Sequence, residues 1–159
     1  MKTLILYASK YGAAEEIARR IAREIDGATT HPSAVVHDIK QSGIPAIGDF
    51  DCVVVGSSLY AGSIRKEAKA FVIKNAGALG EKKLGLFLSG LGQDNGYFEK
   101  NFPRSLLDKA KATGFLGGIF DPEKANGIER FIMKIVAKQN AYSDSIDQEA
   151  ITRFVDAMK

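Results

Sequence analysis

The chain has 159 residues, 45% of them hydrophobic and none in a run long enough to span a membrane, the profile of a single soluble domain with length for a full core. Its 22 basic residues outnumber 19 acidic ones by a net charge of only +3, too small an excess to argue for a nucleic-acid partner. One cysteine, Cys52, excludes an internal disulfide and fits a reducing, cytoplasmic setting, and Met1-Lys2 leads directly into a strand where a leader would otherwise stand.

Lys2 to Ile25 organises the chain. Thr3-Leu4-Ile5-Leu6-Tyr7 is a continuous apolar run of strand length, as in a parallel sheet covered on both faces. Ala14, Ile17, Ala18, Ile21, Ala22 and Ile25 then recur at three- and four-residue steps, the stripe of an amphipathic helix. Glu15 and Glu16 in its first turn, with Arg19, Arg20 and Arg23 further on, follow the order that a helix dipole favours. The loop between, Ala8 to Gly12, runs strand straight into helix and points backbone N–H groups above the sheet. That is an anion site, with phosphate its usual occupant. Neither Gly-x-x-x-x-Gly-Lys-Ser/Thr nor Gly-x-Gly-x-x-Gly occurs here, so no nucleoside-triphosphate loop or dinucleotide fingerprint is indicated.

Further along, Ala34 to Asp38 is a short second strand. His31 and His37 each stand without a cysteine or carboxylate at ligand spacing, which reads as surface or packed histidine. Asp51-Cys52-Val53-Val54-Val55-Gly56 is the most strand-like run, with Cys52 packing as a small hydrophobe. It ends in a small, polar loop, Gly56 to Ser63, built around Tyr60, and a helix is expected from Ile64 to about Gly77. Lys83 to Leu88 is the fourth strand. The glycine-rich loop Ser89 to Gly96 that follows allows close backbone approach to a ligand. A helix is expected over 97–112, interrupted near its start by Pro103, then a fifth strand over 114–120 with Gly117-Gly118 as a soft spot or bulge. Two helices close the chain. The first, 128–138, sets Phe131, Ile132, Ile135 and Val136 against Arg130, Lys134 and Lys138. The second runs from Gln148 to Met158, capped by Ser145 or Asp147.

The first loop resembles the phosphate loop of flavodoxins, Thr/Ser-x-Thr-Gly-x-Thr. Ser9-Lys10-Tyr11-Gly12-Ala13-Ala14 keeps the serine and the glycine, while Tyr11 and Ala14 replace two hydroxyl-bearing threonines. The resemblance implies an α/β, flavodoxin-like three-layer sandwich: a five-stranded parallel sheet in the order 2-1-3-4-5 with helices on both faces. Ligands of such sheets bind where the strand order reverses, and flavodoxin is itself the standard example, with FMN between strands 1 and 3. The resemblance therefore implies FMN, its phosphate held by Ser9 to Ala14. Ser57, Ser58, Leu59, Tyr60, Ala61 and Gly62 would support one face and edge of the ring, with Tyr60 as the flat amphipathic wall. Ser89, Gly90, Leu91, Gly92 and Gln93 would border the other edge. No protein nucleophile, general acid or metal is implied, because the cofactor performs the redox chemistry.

Three segments narrow the resemblance: Met1 to Tyr7, Gly56-Ser57-Ser58, and above all Glu129-Arg130-Phe131-Ile132-Met133-Lys134-Ile135. They are similar to the menaquinone-dependent protoporphyrinogen IX dehydrogenase branch of the flavodoxin superfamily. Members acting on that porphyrin carry a longer basic and aromatic insertion where this chain has only Ser89 to Gly96, which ranks general electron transfer above porphyrin oxidation. The implied partners are redox proteins or a small-molecule or quinone acceptor, and the basic tail helix would suit weak peripheral membrane contact with anionic headgroups. A phosphorylated receiver shares the topology but needs carboxylates at both strand ends. Ser9-Lys10 and Ser57-Ser58 stand there instead.

Overall fold

The computed structural model describes residues 1–136 and 141–159; Lys138 and the side chains of Ile132, Ile135 and Val136 lie outside the described part. In chain order the elements begin with β1 (Thr3–Ala8), α1 (Ala13–Asp26), β2 (Ala34–Asp38), β3 (Cys52–Tyr60), β4 (Ser63–Ile64), α2 (Lys66–Lys74) and α3 (Ala76–Gly80). They continue with β5 (Lys83–Ser89), α4 (Tyr97–Asn101), α5 (Arg104–Lys109), β6 (Ala112–Phe115), β7 (Ile119–Phe120), α6 (Gly127–Val136), β8 (Ser143–Asp144) and α7 (Gln148–Met158). The sheet runs β2-β1-β3-β5-β6 with every neighbouring pair parallel, and β4 adds to β3 as an antiparallel stub. Counting only the five parallel strands, this is the 2-1-3-4-5 order of a flavodoxin-like sandwich.

Strand side chains alternate between two helical layers. Leu4, Leu6, Val53, Val55, Leu84, Leu86 and Leu88 face one layer, where they meet Ala68 and Val72 of α2, Leu79 of α3 and Leu106 of α5. Ile5, Tyr7, Cys52, Val54 and Phe87 face the other, against Ala14, Ile17, Ala18 and Ile21 of α1 and Ile151, Phe154, Val155 and Met158 of α7. Between the two layers β1 and most of β3 and β5 are buried on both faces, which is why they read as apolar runs, while the edge strands β2 and β6 are partly exposed. Complete burial of Ile17 and Ile21 alone contributes roughly 1.5–3 kcal/mol each. Asp147 caps α7, its carboxylate accepting from the Ala150 N–H at 2.9 Å.

Several expected boundaries shift. Ser57 to Tyr60, expected as a loop, continues β3, because its backbone finds partners on both sides: Ser58 registers with Ser89 of β5, and Leu59 and Tyr60 with β4. Ile64 belongs to β4 rather than to a helix, and Asn75 separates α2 from α3, its side-chain amide donating to the Phe71 carbonyl at 2.8 Å. Pro103, which has no N–H to offer a helix, divides α4 from α5. The run 112–120 is two strands, not one. Between them Gly117 takes φ +82°, a Cβ on it would collide with the Ser145 carbonyl, and one on Gly118 would stand 2.9 Å from Gly90 O. Three backbone segments cross there, so the two glycines mark a tight crossing and not a soft spot.

Gly56 is the other close approach. A Cβ there would enter the Phe87 ring, which covers the glycine from the neighbouring strand. Gly56→Ala should therefore destabilise the protein by about 1–3 kcal/mol, the usual cost of overpacking. Urea denaturation measures it, and adding Phe87→Leu should recover part of the loss, since the two sites share one space.

Candidate functional site

At the carboxyl ends of β1, β3 and β5 the sheet opens into a cleft of about 360 Å³, within the ~300–1,000 Å³ range of small-molecule sites. Its existence follows from register. Tyr7 pairs with Gly56 and Ala8 with Ser57, yet α1 and α2 leave toward opposite layers, so the loops flank a gap that neither helix fills.

The first loop is pinned from below. Lys10 N–H donates to Ser58 Oγ at 3.1 Å, and Gly12 N–H donates to Ser9 Oγ at 2.9 Å, closing a turn. Gly12 then caps α1 in the left-handed region at φ +98°, a conformation that favours glycine. The N–H groups of Ala13, Ala14 and Glu15 lie in the first turn, where a helix has no internal acceptors for them.

The structure brings Lys10, Tyr11, Ala13, Ser58, Leu59 and Tyr60 into the cleft wall, together with Ala61, Gly62, Ser89, Gly90 and Leu91. It sets the other candidates apart. Ser57 is fully buried beneath the cleft, accepting from Arg65 N–H at 2.9 Å and donating to Ser58 O at 3.0 Å, so its hydroxyl anchors the chain after β4. Ala14 turns its methyl into the α1 core and offers only its N–H. Ser9 spends its hydroxyl on Gly12. Gly92 and Gln93 stand exposed beyond the rim, outside the cleft lining. Ser89 is the most informative member: only 1% exposed, it lines the cleft with a hydroxyl that has no hydrogen-bond partner among the described residues. A buried hydroxyl without a partner is costly unless a ligand satisfies it.

Eight further lining residues come from position 97 onward, none of them expected from the sequence as part of the site. Gly118, Ile119, Phe120 and Asp121 close one side, Tyr97 another, and Ala125, Glu129 and Met133 roof the loop. Glu129 is the anchor. Its carboxylate accepts from Lys10 Nζ at 2.9 Å, from the Tyr11 hydroxyl, and from Asn126 Nδ2 at 2.8 Å. Lys10 Nζ also lies 3.5 Å from the centroid of Tyr60, a cation–π contact. Burial opposes ionisation of Glu129, but the hydrogen bonds from Tyr11 and Lys10 outweigh it and hold the carboxyl below its ordinary range. Burial and then the neighbouring Glu129 carboxylate push the Tyr11 phenol up. Only the tail's proximity in three dimensions, across more than a hundred residues of sequence, makes this cluster. The donor set suits the FMN that the sequence resemblance implies: amide donors and a helix N-terminus for a phosphate, apolar and aromatic walls for a ring, and the Ser89 hydroxyl for a polar ring edge.

Residues 4–147 match the model of a family described as the flavodoxin domain. Among solved structures, oxidised flavodoxin 2 from Bacillus cereus aligns over 99% of this chain and 97% of its own, with a TM-score of 0.61 and 22% identity. The flavodoxin of Streptococcus pneumoniae aligns over the same shares, with a TM-score of 0.61 and 16% identity. A flavodiiron core from Synechocystis gives a TM-score of 0.57 and 19% identity, but this chain, aligned over 99% of its length, spans only 34% of that protein. At such identities the likeness is one of fold. None of the curated proteins matches the chain.

Because Glu129 has a lowered pKa, its tie to Lys10 and Tyr11 is fully present above the ordinary glutamate value of 4.5 and fades as pH falls through the lower folded value. Glu129→Gln should cost about 1 kcal/mol or less at neutral pH, as for other partly exposed pairs, and the difference from wild type should vanish in acid. Urea midpoints of both proteins across the acid range test this; a difference that persists undiminished would show that the carboxylate is not what holds α6 down.

Proposed function

Because the chain belongs to the flavodoxin-domain family, we propose that it works as a single domain that binds FMN and transfers electrons between redox partners. The observation that carries this reading is the union of three strand-end segments, after β1, in late β3 and after β5, in one cleft at the reversal of strand order. FMN supplies the one- and two-electron chemistry when bound. The protein's own part is placement and electrostatics. The N-terminus of α1 receives the phosphate, Tyr60 and Tyr97 offer flat walls, and Ser89 with the Gly90 backbone reads the polar edge of the ring. Gly90 is itself fixed, its N–H donating to Gly117 O at 3.1 Å, so this edge is preorganised.

Tyr60 is 46% exposed and Leu91 stands beside the cleft at 36%, leaving an apolar rim at which a partner could reach the ring edge. Electron transfer needs such an edge and no proton-handling side chain. A cytoplasmic setting fits the free, buried Cys52.

A specific observation favours a quinone acceptor at a membrane as a second reading. No helix among the described residues is long and apolar enough to cross a membrane. However, α6 turns Glu129 and Met133 into the cleft and leaves Ile128 73% exposed and Phe131 63% exposed, with Arg130 and Lys134 also in solvent. An apolar surface flanked by cations suits anionic headgroups. The comparisons lend no support to a porphyrin substrate, and the short 89–96 segment builds no wall for one.

Cofactor released by heat should co-chromatograph with FMN at one equivalent per chain, and a flavodoxin-type reductase should bleach the visible flavin band of the holoprotein. Recovery of FAD, or failure of the apoprotein to take up FMN, would sink the first reading. For the second, flotation with phosphatidylglycerol vesicles should fall severalfold in Phe131→Ser; equal flotation of both proteins would remove the membrane.

A further inference from the structure

The first loop, which the FMN reading makes the phosphate end of the cleft, is short of hydroxyl donors, and ammonium groups stand around its backbone. Tyr11 donates to Glu129, Ser9 Oγ accepts from Gly12, and position 14 is a methyl in the core. Against that, three lysines converge on the backbone of residues 9–12. Lys10 is neutralised by Glu129 at 2.9 Å. Lys124 reaches in from the turn before α6. Its Nζ donates to Tyr11 O at 3.4 Å and lies 3.8 Å from the point where a Cβ on Gly12 would stand. Lys40, just beyond β2, donates from Nζ to Ser9 O.

Lys40 and Lys124 meet only these neutral carbonyl oxygens; among the described residues neither forms an ion pair. Both charges therefore stand uncompensated beside the positive end of α1. Like charges held together in this way repel, and a dianion placed among them relieves the repulsion. Lys124 is the better placed of the two, because the missing side chain of Gly12 leaves the crown of the loop open beneath its ammonium group.

We propose that Lys124, assisted by Lys40, is the counter-charge for the phosphate monoester of the bound flavin, replacing the hydroxyls that Tyr11 and Ala14 cannot supply. The inference rests on the FMN reading of the cleft and deepens it: the site selects phosphorylated over unphosphorylated flavin by charge. Both lysines are exposed, so the attraction is screened and FMN affinity falls as salt rises.

Quenching of flavin fluorescence by the apoprotein tests this with FMN and riboflavin side by side. Lys124→Met should weaken FMN about tenfold, the scale of one lost charge-assisted hydrogen bond, and leave riboflavin unchanged. Lys40→Met should weaken FMN less, Lys124→Arg should restore most of the affinity, and the salt dependence for FMN should flatten in Lys124→Met. FMN binding by Lys124→Met equal to wild type would overturn the proposal. So would an equal loss of FMN and riboflavin, which would show a role in holding the loop rather than in meeting phosphate. Failure of the unsubstituted protein to bind either flavin would overturn the cofactor reading and this proposal with it, a result set apart because it needs no substitution.

Discussion

The parallel pairing of β1 with β3 is the constraint on which the rest of the molecule depends. Tyr7 beside Gly56 and Ala8 beside Ser57 fix where the two strands end relative to one another. The chain then leaves β1 into α1 on one layer and passes from β3 to α2 on the other. Two strands that end together and diverge must leave a gap, and short segments of small residues line it with backbone rather than bulk. The cleft is thus a product of topology. Ser58 shows how tightly it is bound to the sheet: it registers with Ser89 in the ladder while its hydroxyl receives the Lys10 N–H from the first loop.

Close approach inside the sheet serves the same end. Phe87 is fully buried and lies across Gly56, while a Cβ on Gly85 would stand 2.8 Å from Phe154 and 2.9 Å from the Met158 sulfur of α7. Glycine lowers strand propensity, and here it is the condition for large side chains to fill the layer without voids. The strands are held at fixed heights by that packing, so their carboxyl ends, and the donors standing there, share one rigid platform.

The central strands were legible because burial on both faces leaves a simple mark, the apolar runs within 3–7, 51–56 and 83–88, while the edge run 34–38 keeps only a short Ala-Val-Val start. Strand order came from resemblance and agrees with the pairing observed. The polar end of β3 was not legible, since Ser57 to Tyr60 carry loop-like side chains and are held extended by neighbours that local sequence does not reveal. The hairpin of β7 and β8 failed for a related reason: two-residue strands have no period to detect. Within the site, the strand-end residues were found because they follow strands. Glu129 and Lys124 were not, because a lone glutamate or lysine on a helical or turn segment is ordinarily solvated, and only the folded tail gives these side chains a partner in the first loop.

That tail changes how the site should behave. The first loop has two threonines fewer than the flavodoxin pattern, and charged side chains from elements far away in sequence meet it: Lys40 after β2 and Lys124 before α6 donate to its carbonyls, while Glu129 of α6 accepts from the side chains of Lys10 and Tyr11. A phosphate loop built from its own hydroxyls is complete as soon as β1 and α1 form. On the reading proposed above, this one would be complete only with residues 119–133 in place, and the glycine crossing at 117 and 118 against Gly90 and Ser145 fixes where they stand. Binding at the loop and docking of the tail are therefore linked equilibria. A ligand that meets the docked form and not the undocked one stabilises it in proportion to the logarithm of its concentration over Kd. In the other direction, the apparent affinity of the cleft is reduced by whatever fraction of molecules have the tail undocked. If this loop receives the phosphate as proposed, the lysines and the carboxylate that stand around it would tie the strength of cofactor binding to the packing of the last third of the chain.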